Sequence, residues 1–534
     1  MRIAIVGFGI ADASTLIQLS KRFDLNAATD QVDVYETRPR LGAGAPYAED
    51  DDATVINSFP RSLSLDDDNN EDFINWTKVN YPAIDIDNVF APRTIYGEYV
   101  EEYLKPYLAK DYVRHIQAKV TDLQVVDADG TPLYQRPFED GLAYQVFSSE
   151  NGWSQIYDAV FFAIGHPPYQ DPYQLEGQAN YIQDPYPLGE KLQATKGKRR
   201  IGIVGSGLTT IDLINYCNKY DLFADQEVTV YFRHEPFRSV IQPDANEDYI
   251  QSIDDEWIET QRAVNKGAIP IQVVINQVKA DLKANGIDYS RVWANFNTGS
   301  VATVTKAIRQ DDPDYRRFQG FFRAFYPVLH QMMGALDAAG KDYFYKDLGA
   351  FFHMLYSQAP AASISMILDL VAQGKLKLVS GLSDIQPLEN GQFHLYANGI
   401  RHKADVLINA TGFNSRLSQA KDTDPLLGNL IRRNLILPDN RDNILAVYPS
   451  AMPLNPNYQI LDNVYFLGSW IASTQGPNTS VALAKKQTQI AVTDFYQQVN
   501  KHKQLTIFPC KKDLHPQAKW AAQVLLLCFI FYSD

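Results

Sequence analysis

The chain has 534 residues, a length that predicts two or three domains rather than a single hydrophobic core. Hydrophobic residues make up 45% of it and charged residues 21%, which is typical of globular proteins and argues against disorder. The net charge is −14 and no basic stripe is present, so we expect no nucleic acid partner.

The cysteines and the two ends of the chain bear on its location. Cys217, Cys510 and Cys528 have neither CxxC nor zinc-ligand spacing, so we expect no disulfide framework, no metal site and a reducing cytoplasm. Met1 leads directly into a strand pattern without a signal peptide, so we expect no export. The apolar run 524–532 is shorter than the ~20 residues of a membrane-spanning helix. It predicts a docking segment, with weak membrane contact as the alternative and no stable membrane insertion.

A buried strand pattern at the start of the chain leads into a glycine-containing turn and a helix. Gly7 would make the tight turn, Gly9 would let a pyrophosphate approach the backbone, and the helix N-terminus would face the phosphates. Glu36 closes the next strand pattern, roughly 20 residues further on, where an acid binds the adenosine ribose. The predicted dinucleotide site also includes Arg38.

Asp12 occupies the third glycine position of this motif. It is larger than glycine and places a negative charge close to the expected diphosphate. Two alternatives follow from this departure. The domain has kept its turn and lost its ligand, or Asp12 turns away and favours the first turn of the helix through the helix dipole.

A second strand, turn and helix pattern begins at Ile201. The turn has the same glycine spacing, with a small threonine in the third position, and predicts a second dinucleotide site. Its predicted binding residues are Gly205, Ser206, Gly207, Thr209 and Thr210.

Basic residues follow the next strand pattern of this second domain. Arg233 and His234 stand where NAD-selective sites usually carry an acid, and Arg238 is close by. A guanidinium can donate two parallel hydrogen bonds to a 2′-phosphate. The sequence therefore favours NADPH over NADH.

The order of strand and helix patterns predicts a discontinuous arrangement of domains. Strand patterns at 120–126, 143–148 and 159–164 precede a break at Gly165, long helical patterns fill 246–372, and strand patterns return from residue 376. We predict a first dinucleotide-binding domain in 1–170 and 401–500, a second in 195–245 and 373–400, a helical insertion in 246–372, and a C-terminal tail in 501–534. This order resembles that of the two-dinucleotide-binding flavoproteins, which implies an FAD-binding first domain and an NAD(P)H-binding second domain.

Two apolar strand patterns late in the chain end in glycine, at Gly412 and at Gly468-Ser469. In two-dinucleotide-binding flavoproteins such strands return the chain to the FAD, and the resemblance implies the same here, where the missing side chain at each glycine would permit close passage of the cofactor. A helical pattern from Thr479 to Val499 would then direct its N-terminus at the isoalloxazine.

With the triplet Ala410-Thr411-Gly412, this order of motifs resembles the two-dinucleotide-binding flavoproteins. More narrowly, the chain resembles the bacterial FAD-NAD(P)-binding family, whose relatives include FAD-dependent urate hydroxylases and, distantly, lysine and ornithine N-hydroxylases. The narrower resemblance is carried by the stretches 41–47, 55–57, 90–99 and 317–318.

The resemblance implies an α/β fold with two Rossmann-like (FAD/NAD(P)-binding) domains and a helical insertion. It implies FAD and NADPH as cofactors, with Gly42, Gly44, Asn57 and Arg93 around the flavin. A surface loop for the two glycines and a structural role for Arg93 are the alternatives. Many relatives carry Gly-Asp where this chain has Gly468-Ser469, and serine can still hydrogen-bond.

The resemblance also implies an FAD-dependent, NAD(P)H-using oxidoreductase, and it favours a monooxygenase that hydroxylates a small molecule. The alternative is a non-catalytic FAD- or nucleotide-binding redox sensor or scaffold. No catalytic residue is assigned, because the flavin supplies the redox chemistry. His166 is interpreted as a loop residue, the aromatic stretch 318–326 as core, and the acidic run 49–52 as a solvated loop. The patterns indicate neither the substrate nor the oligomeric state.

Overall fold

The structure is a computed structural model that describes residues 1–87, 89–127, 129–133, 142–243, 248–475 and 480–507. The apolar run 524–532, Cys510, Cys528 and the expected helix start at Thr479 lie outside these residues. The chain divides into a large unit, Met1–Ala491, and a C-terminal unit that begins at Val492.

The strands are short and mostly buried. In chain order they are β1 Arg2–Val6, β2 Gln31–Tyr35, β3 Val113–Ile116, β4 Val120–Val126, β5 Ala143–Ser148, β6 Gly152–Trp153, β7 Ala159–Phe162, β8 Tyr181–Ile182, β9 Arg200–Val204, β10 Glu227–Tyr231, β11 Leu376–Val379, β12 Leu382–Pro387, β13 Phe393–Ala397, β14 Ile400–Ala404, β15 Val406–Asn409 and β16 Val464–Phe466.

The helices concentrate between β10 and β11. In chain order they are α1 Ile10–Arg22, α2 Asp72–Asn80, α3 Arg93–Leu108, α4 Leu188–Lys191, α5 Leu208–Lys219, α6 Asp255–Val264, α7 Ile271–Ala284, α8 Tyr289–Phe296, α9 Val301–Gln310, α10 Pro313–Ala335, α11 Ala338–Tyr343, α12 Gly349–Tyr356, α13 Ala361–Ala372, α14 Leu417–Thr423, α15 Pro425–Arg432, α16 Ala472–Gln475 and α17 Val481–Ile507. None of the described helices is long and apolar enough to cross a membrane.

Two five-stranded sheets form the centres of the two nucleotide-binding domains. The first has the order β16-β7-β1-β2-β3 and the second the order β11-β10-β9-β15-β8. All the pairs within them are parallel. Their central strands are apolar on both faces, as in β1, where four of five residues are buried.

The two domains repeat one pattern of strands. Four strands of the first sheet, β7-β1-β2-β3, correspond to β15-β9-β10-β11 of the second. In the first domain the three-stranded antiparallel sheet β4-β5-β6 directly precedes β7 in the chain, and in the second domain β12-β13-β14 directly precedes β15. The two glycine turns therefore belong to two copies of one fold.

The strand that precedes Gly412 corrects one prediction. Strand β15 pairs with β9 and β8 in the second sheet, so it does not return the chain to the FAD-binding domain. Strand β16 does return, because it pairs with β7 in the first sheet. The predicted start of the returning segment at residue 401 therefore lies too early. The pattern of an apolar strand ending in glycine is the same in both places and does not identify its partner strand.

The eight helices α6 to α13 form the insertion between β10 and β11. Several begin at an aspartate or serine whose side chain accepts the N–H three residues on, as at Asp254, Ser300 and Asp312. Their aromatic residues pack in the same buried cluster as residues of β9 and β10. Phe318 is buried, which agrees with the interpretation of the stretch 318–326 as core. The first sheet packs in a separate hydrophobic cluster.

Candidate functional site: two glycine turns

The first glycine turn joins β1 to α1 and packs against the end of β7. Gly7 has a φ of 96°, and a side-chain carbon there would lie 2.5 Å from the carbonyl oxygen of Ala163. Only glycine fits this turn. In the described part of the chain the amides of Ile10 and Ala11, at the start of α1, have no hydrogen-bond acceptor. They are available to a phosphate.

Glu36 lies directly against this turn. Its Oε2 accepts a hydrogen bond from the Phe8 amide at 3.1 Å, and its Oε1 accepts one from the Arg38 amide at 2.9 Å. The end of β2 thus places the carboxylate beside the turn, as the adenosine-ribose role requires. The side chain of Arg38 is exposed.

Asp12 is completely buried beneath the turn. Its Oδ2 accepts a hydrogen bond from the Gly9 amide at 3.1 Å, while its Oδ1 is buried without a hydrogen-bond partner among the described residues. Burial raises the pKa of Asp12 well above its ordinary value, and the nearby charge of Glu36 raises it further. A protonated Asp12 carries no charge against a diphosphate and none toward the dipole of α1, so its contact with the first turn is the hydrogen bond from the Gly9 amide.

The loop that contains Gly42 and Gly44 covers the first turn. The Gly42 amide donates to the Phe8 carbonyl at 2.9 Å, and a side-chain carbon on Gly9 would lie 3.6 Å from the Cα of Gly44. A side-chain carbon on Gly42 would clash with Leu104 of α3. The two glycines therefore form part of a packed loop beside the turn rather than a free surface loop.

Arg93 lies where the two domains meet, while Asn57 and Gly165 are further predicted cofactor-binding residues of the first domain. Arg93 donates from Nε to the Val55 carbonyl at 3.1 Å and from Nη2 to Asp212 of the second domain at 2.6 Å. Asn57 has a buried Oδ1 that accepts no hydrogen bond within the described ranges. Gly165 has a φ of 84° and open space where a side chain would be.

The second glycine turn repeats the packing of the first. Gly205 has a φ of 124°, and a side-chain carbon there would lie 2.1 Å from the carbonyl oxygen of Ala410. Thr210 closes the turn, since its hydroxyl donates to the Gly205 carbonyl at 2.9 Å. Gly207 has open space around it. Ser206 and Thr209 are half-buried at the start of α5, so the turn presents an open backbone to a ligand.

Arg233 and Arg238 follow β10 and are both partly open to solvent. Neither forms an ion pair with a carboxylate in the described part of the structure. Partial burial lowers the pKa of Arg238, and the positive charge of Arg233 lowers it further. An uncompensated pair of cations at this position suits a phosphate.

The glycines that end β15 and β16 have different surroundings. Gly412 has a φ of 100°. Its carbonyl accepts a hydrogen bond from the Gln170 amide at 2.9 Å, which fixes the segment that follows Gly165. Gly468 has a φ of 94°, open space on its side-chain side, and an amide that donates to Gln487 at 2.8 Å. Ser469 begins a short 3-10 helix there.

The residues of the first domain fit FAD. Free amides at the start of α1 suit a diphosphate, Glu36 suits a ribose, and the open glycines 165 and 468 leave room for a ring system. The second turn fits NADPH in the same way, with open space beside Gly207 and two arginines that form no ion pair with any described carboxylate. His166, by contrast, stacks on Phe413 with ring centroids 4.7 Å apart, and burial lowers its pKa.

Sequence reasoning missed the polar contacts between the two domains. Asp212 lies two residues beyond the second glycine motif and Tyr186 lies in no motif, and nothing in a single sequence pairs either of them with Arg93. The acidic run 49–52 is not simply solvated, because Asp50 accepts the Leu188 amide and Asp51 pairs with Lys219. Among the described residues no cluster of His, Cys, Asp or Glu could hold a metal ion.

The two sheets and their glycine turns define a two-dinucleotide-binding protein of the flavoenzyme type. A model of the FAD-NAD(P)-binding family matches residues 4–167, which confirms the predicted resemblance for the first domain. No curated protein matches this sequence.

Solved structures share the fold over almost the whole chain. The L-lysine 6-monooxygenase of Pseudomonas syringae is 14% identical, with a TM-score of 0.56 and coverage of 94% of this chain and 99% of that one. The cadaverine monooxygenase of Erwinia amylovora, crystallised with FAD, is 16% identical, with a TM-score of 0.54 and coverage of 92% and 93%. The ornithine N-hydroxylase of Kutzneria sp. 744, crystallised with reduced FAD, NADP+ and L-ornithine, is 13% identical, with a TM-score of 0.53 and coverage of 93% and 99%. These likenesses confirm the predicted fold class.

Proposed function

We propose that this chain is an FAD-dependent oxidoreductase that uses NADPH and hydroxylates a small molecule. The observation that carries the proposal is the pair of equivalent glycine turns. The first packs against Ala163 at the end of β7, and the second packs against Ala410 at the end of β15. Two dinucleotides bound at such turns would extend from the carboxyl ends of two parallel sheets. The redox chemistry would be supplied by bound FAD, as the acceptor of hydride from the nicotinamide and, once reduced, as the group that reacts with molecular oxygen.

The residues of the chain have binding and orienting roles in this proposal. The α1 amides and Glu36 would hold the diphosphate and ribose of FAD, with Gly42 and Gly44 beside them. The second turn would hold the NADPH diphosphate, and Arg233 with Arg238 would select the 2′-phosphate. No side chain needs to act as an acid or base for hydride to move between the two rings.

Thiol chemistry, the main alternative use of this architecture, has little support. The chain has three cysteines and no CxxC motif. Cys217 is buried, and burial raises the pKa of its thiol to about 12, so it is not a nucleophile at neutral pH. The chain shares its fold with three monooxygenases over nearly their full length, which supports hydroxylation. The buried free thiol of Cys217 agrees with a reducing cytoplasm.

The visible absorption spectrum of the purified protein tests the proposal. We expect flavin bands that bleach under anaerobic conditions with NADPH, and more slowly with NADH. Primary amines, the substrates named for the three fold relatives, are then the first compounds to test for faster oxygen use and a product heavier by one oxygen atom. A protein that binds FAD but is reduced by neither nucleotide would instead support the sensor or scaffold. A colourless protein that takes up no added FAD would contradict FAD binding itself.

A further inference from the structure

One face of helix α5 contacts the first nucleotide-binding domain. Asp212, Asn215 and Lys219 lie three and four residues apart and therefore share that face. Asn215 donates to the Ala53 carbonyl at 3.4 Å, and Lys219 pairs with Asp51 at 2.9 Å. The helix that begins at the second glycine turn is thus held by the segment that follows Tyr47.

The innermost contact of this face is a buried ion pair. The Asp212 carboxylate is 0% exposed, and its Oδ2 accepts a hydrogen bond from Arg93 Nη2 and another from the Tyr186 hydroxyl, both at 2.6 Å. The Arg93 guanidinium also lies 5.6 Å from the centre of the Tyr186 ring. These three side chains come from α3, from the segment before α4, and from α5, and we call them the Arg93 cluster.

The charges in the Arg93 cluster depend on each other. Burial raises the pKa of Asp212, and Arg93 lowers it again. Burial alone would lower the pKa of Arg93, but Asp212 and Tyr186 raise it above its ordinary value. Removing one charge would leave the other buried without compensation, which destabilises strongly. The cluster therefore has one preferred geometry.

The cluster lies between the two cofactor sites. Asp212 is in the second turn of the helix that starts beside Gly207, while Arg93 contacts Val55, two residues before Asn57. Burial lowers the pKa of His166, next to Gly165, and the charge of Arg93 lowers it further. A shift here would move one nucleotide relative to the other.

We propose that Asp212 is a positioning residue for hydride transfer. By holding Arg93 and Tyr186, it fixes α5 and its bound nucleotide against the flavin side of the first domain. This inference rests on the proposed function and adds a fixed contact between the domains. Rates of transfer between two bound groups fall steeply when their separation changes, by as much as about 100-fold for 1 Å.

Asp212→Asn tests this role, and Asp52→Asn is the matched control. Asp52 also pairs across the domains, with Lys219, but its side chain is 65% exposed. We expect the Asp212 variant to keep its FAD and to bind NADPH within about twofold of the wild type, since α5 keeps its glycine turn. The rate constant of anaerobic flavin reduction at saturating NADPH should fall at least about tenfold. The Asp52 variant should match the wild type in both.

Tyr186→Phe keeps the charge pair and removes one hydrogen bond, so it serves if the Asp212 variant does not fold. We expect a smaller loss of the same rate constant with unchanged NADPH binding. Loss of NADPH affinity instead of rate, or equal rates for the Asp212 and Asp52 variants, would overturn the positioning role. If Asp212→Asn does not fold and Tyr186→Phe reduces as fast as the wild type, the role is also overturned.

Hydrogen exchange of the FAD-free protein separates this inference from the proposed function. Asp212→Asn should speed exchange at the amides of 53–57 and of α5, relative to Asp52→Asn. A wild-type protein that NADPH never reduces would contradict the proposed function. Equal exchange in the two variants would contradict the fixed contact alone.

Discussion

Asp12 is the residue at which this chain differs most from an ordinary dinucleotide-binding turn. A carboxyl group takes the place of a glycine, yet it is fully buried and binds the amide of Gly9. Burial raises the pKa of Asp12 well above its ordinary value, and the nearby charge of Glu36 raises it further. A neutral Asp12 places no negative charge near the predicted diphosphate site.

We predict that Asp12→Asn becomes more stable than the wild type as the pH rises. A carboxyl group whose pKa is higher in the folded than in the unfolded protein stabilises the fold fully below the unfolded value, near 3.8. That stability is lost as the pH rises toward the folded pKa, by up to about 1.4 kcal/mol per pH unit. Thermal melting of the FAD-free proteins between pH 4 and 9 measures the difference. Asp111→Asn, at an exposed position, should show no such trend.

A constant difference between wild type and Asp12→Asn across this pH range would mean that Asp12 does not titrate as argued. A wild type that is the more stable protein at high pH would show that a charged Asp12 supports the turn through the dipole of α1.

At the scale of elements, the second strand, turn and helix unit contains one glycine that its packing requires, Gly205, and one that we predict to bind the nucleotide, Gly207. A side-chain carbon on Gly205 would clash with the Ala410 carbonyl at the end of β15, whereas one on Gly207 would meet no atom within 4 Å. We predict that Gly207→Ala melts within a few degrees of the wild type but binds NADPH at least about tenfold more weakly, because the added methyl group meets the diphosphate. Calorimetric titration and thermal melting measure the two effects.

Gly205→Ala is the counterpart, since its methyl group would clash with the Ala410 carbonyl at a positive φ. It should lower the melting temperature clearly before any ligand is added. Equal NADPH binding by Gly207→Ala and the wild type would place the diphosphate away from this turn.

Local signals made both glycine turns and most strands predictable from the sequence. Gly7 and Gly205 follow apolar strands at fixed spacing, and that pattern is complete within about ten residues. The partner of β15 was not predictable, because an apolar strand ending in glycine fits either sheet and only tertiary pairing decides. The Arg93–Asp212 pair was missed for the same reason, since its members are 119 residues apart. The binding roles of the predicted site residues stay predictions.

At the scale of the whole molecule, the helical insertion belongs to the second nucleotide-binding domain. Its aromatic residues share one buried cluster with β9 and β10, while the first sheet packs with α14 and α15 in another. Proteins open in contiguous cooperative units, which follow such clusters. Changes in the insertion should therefore reach the second glycine turn through the core and leave the first turn unaffected.

We predict that Phe322→Ala, in the centre of the insertion, destabilises the second domain selectively. Phe322 is buried against Phe318 and Phe352, and such truncations cost about 3–5 kcal/mol. Hydrogen exchange should become faster in β9 and β10 and stay unchanged in β1 and β2. Leu427→Ala, in the core of the first domain, should show the reverse. Equal acceleration in both sheets would mean that the two cores unfold as one, and the Arg93 cluster would then be the natural link between them.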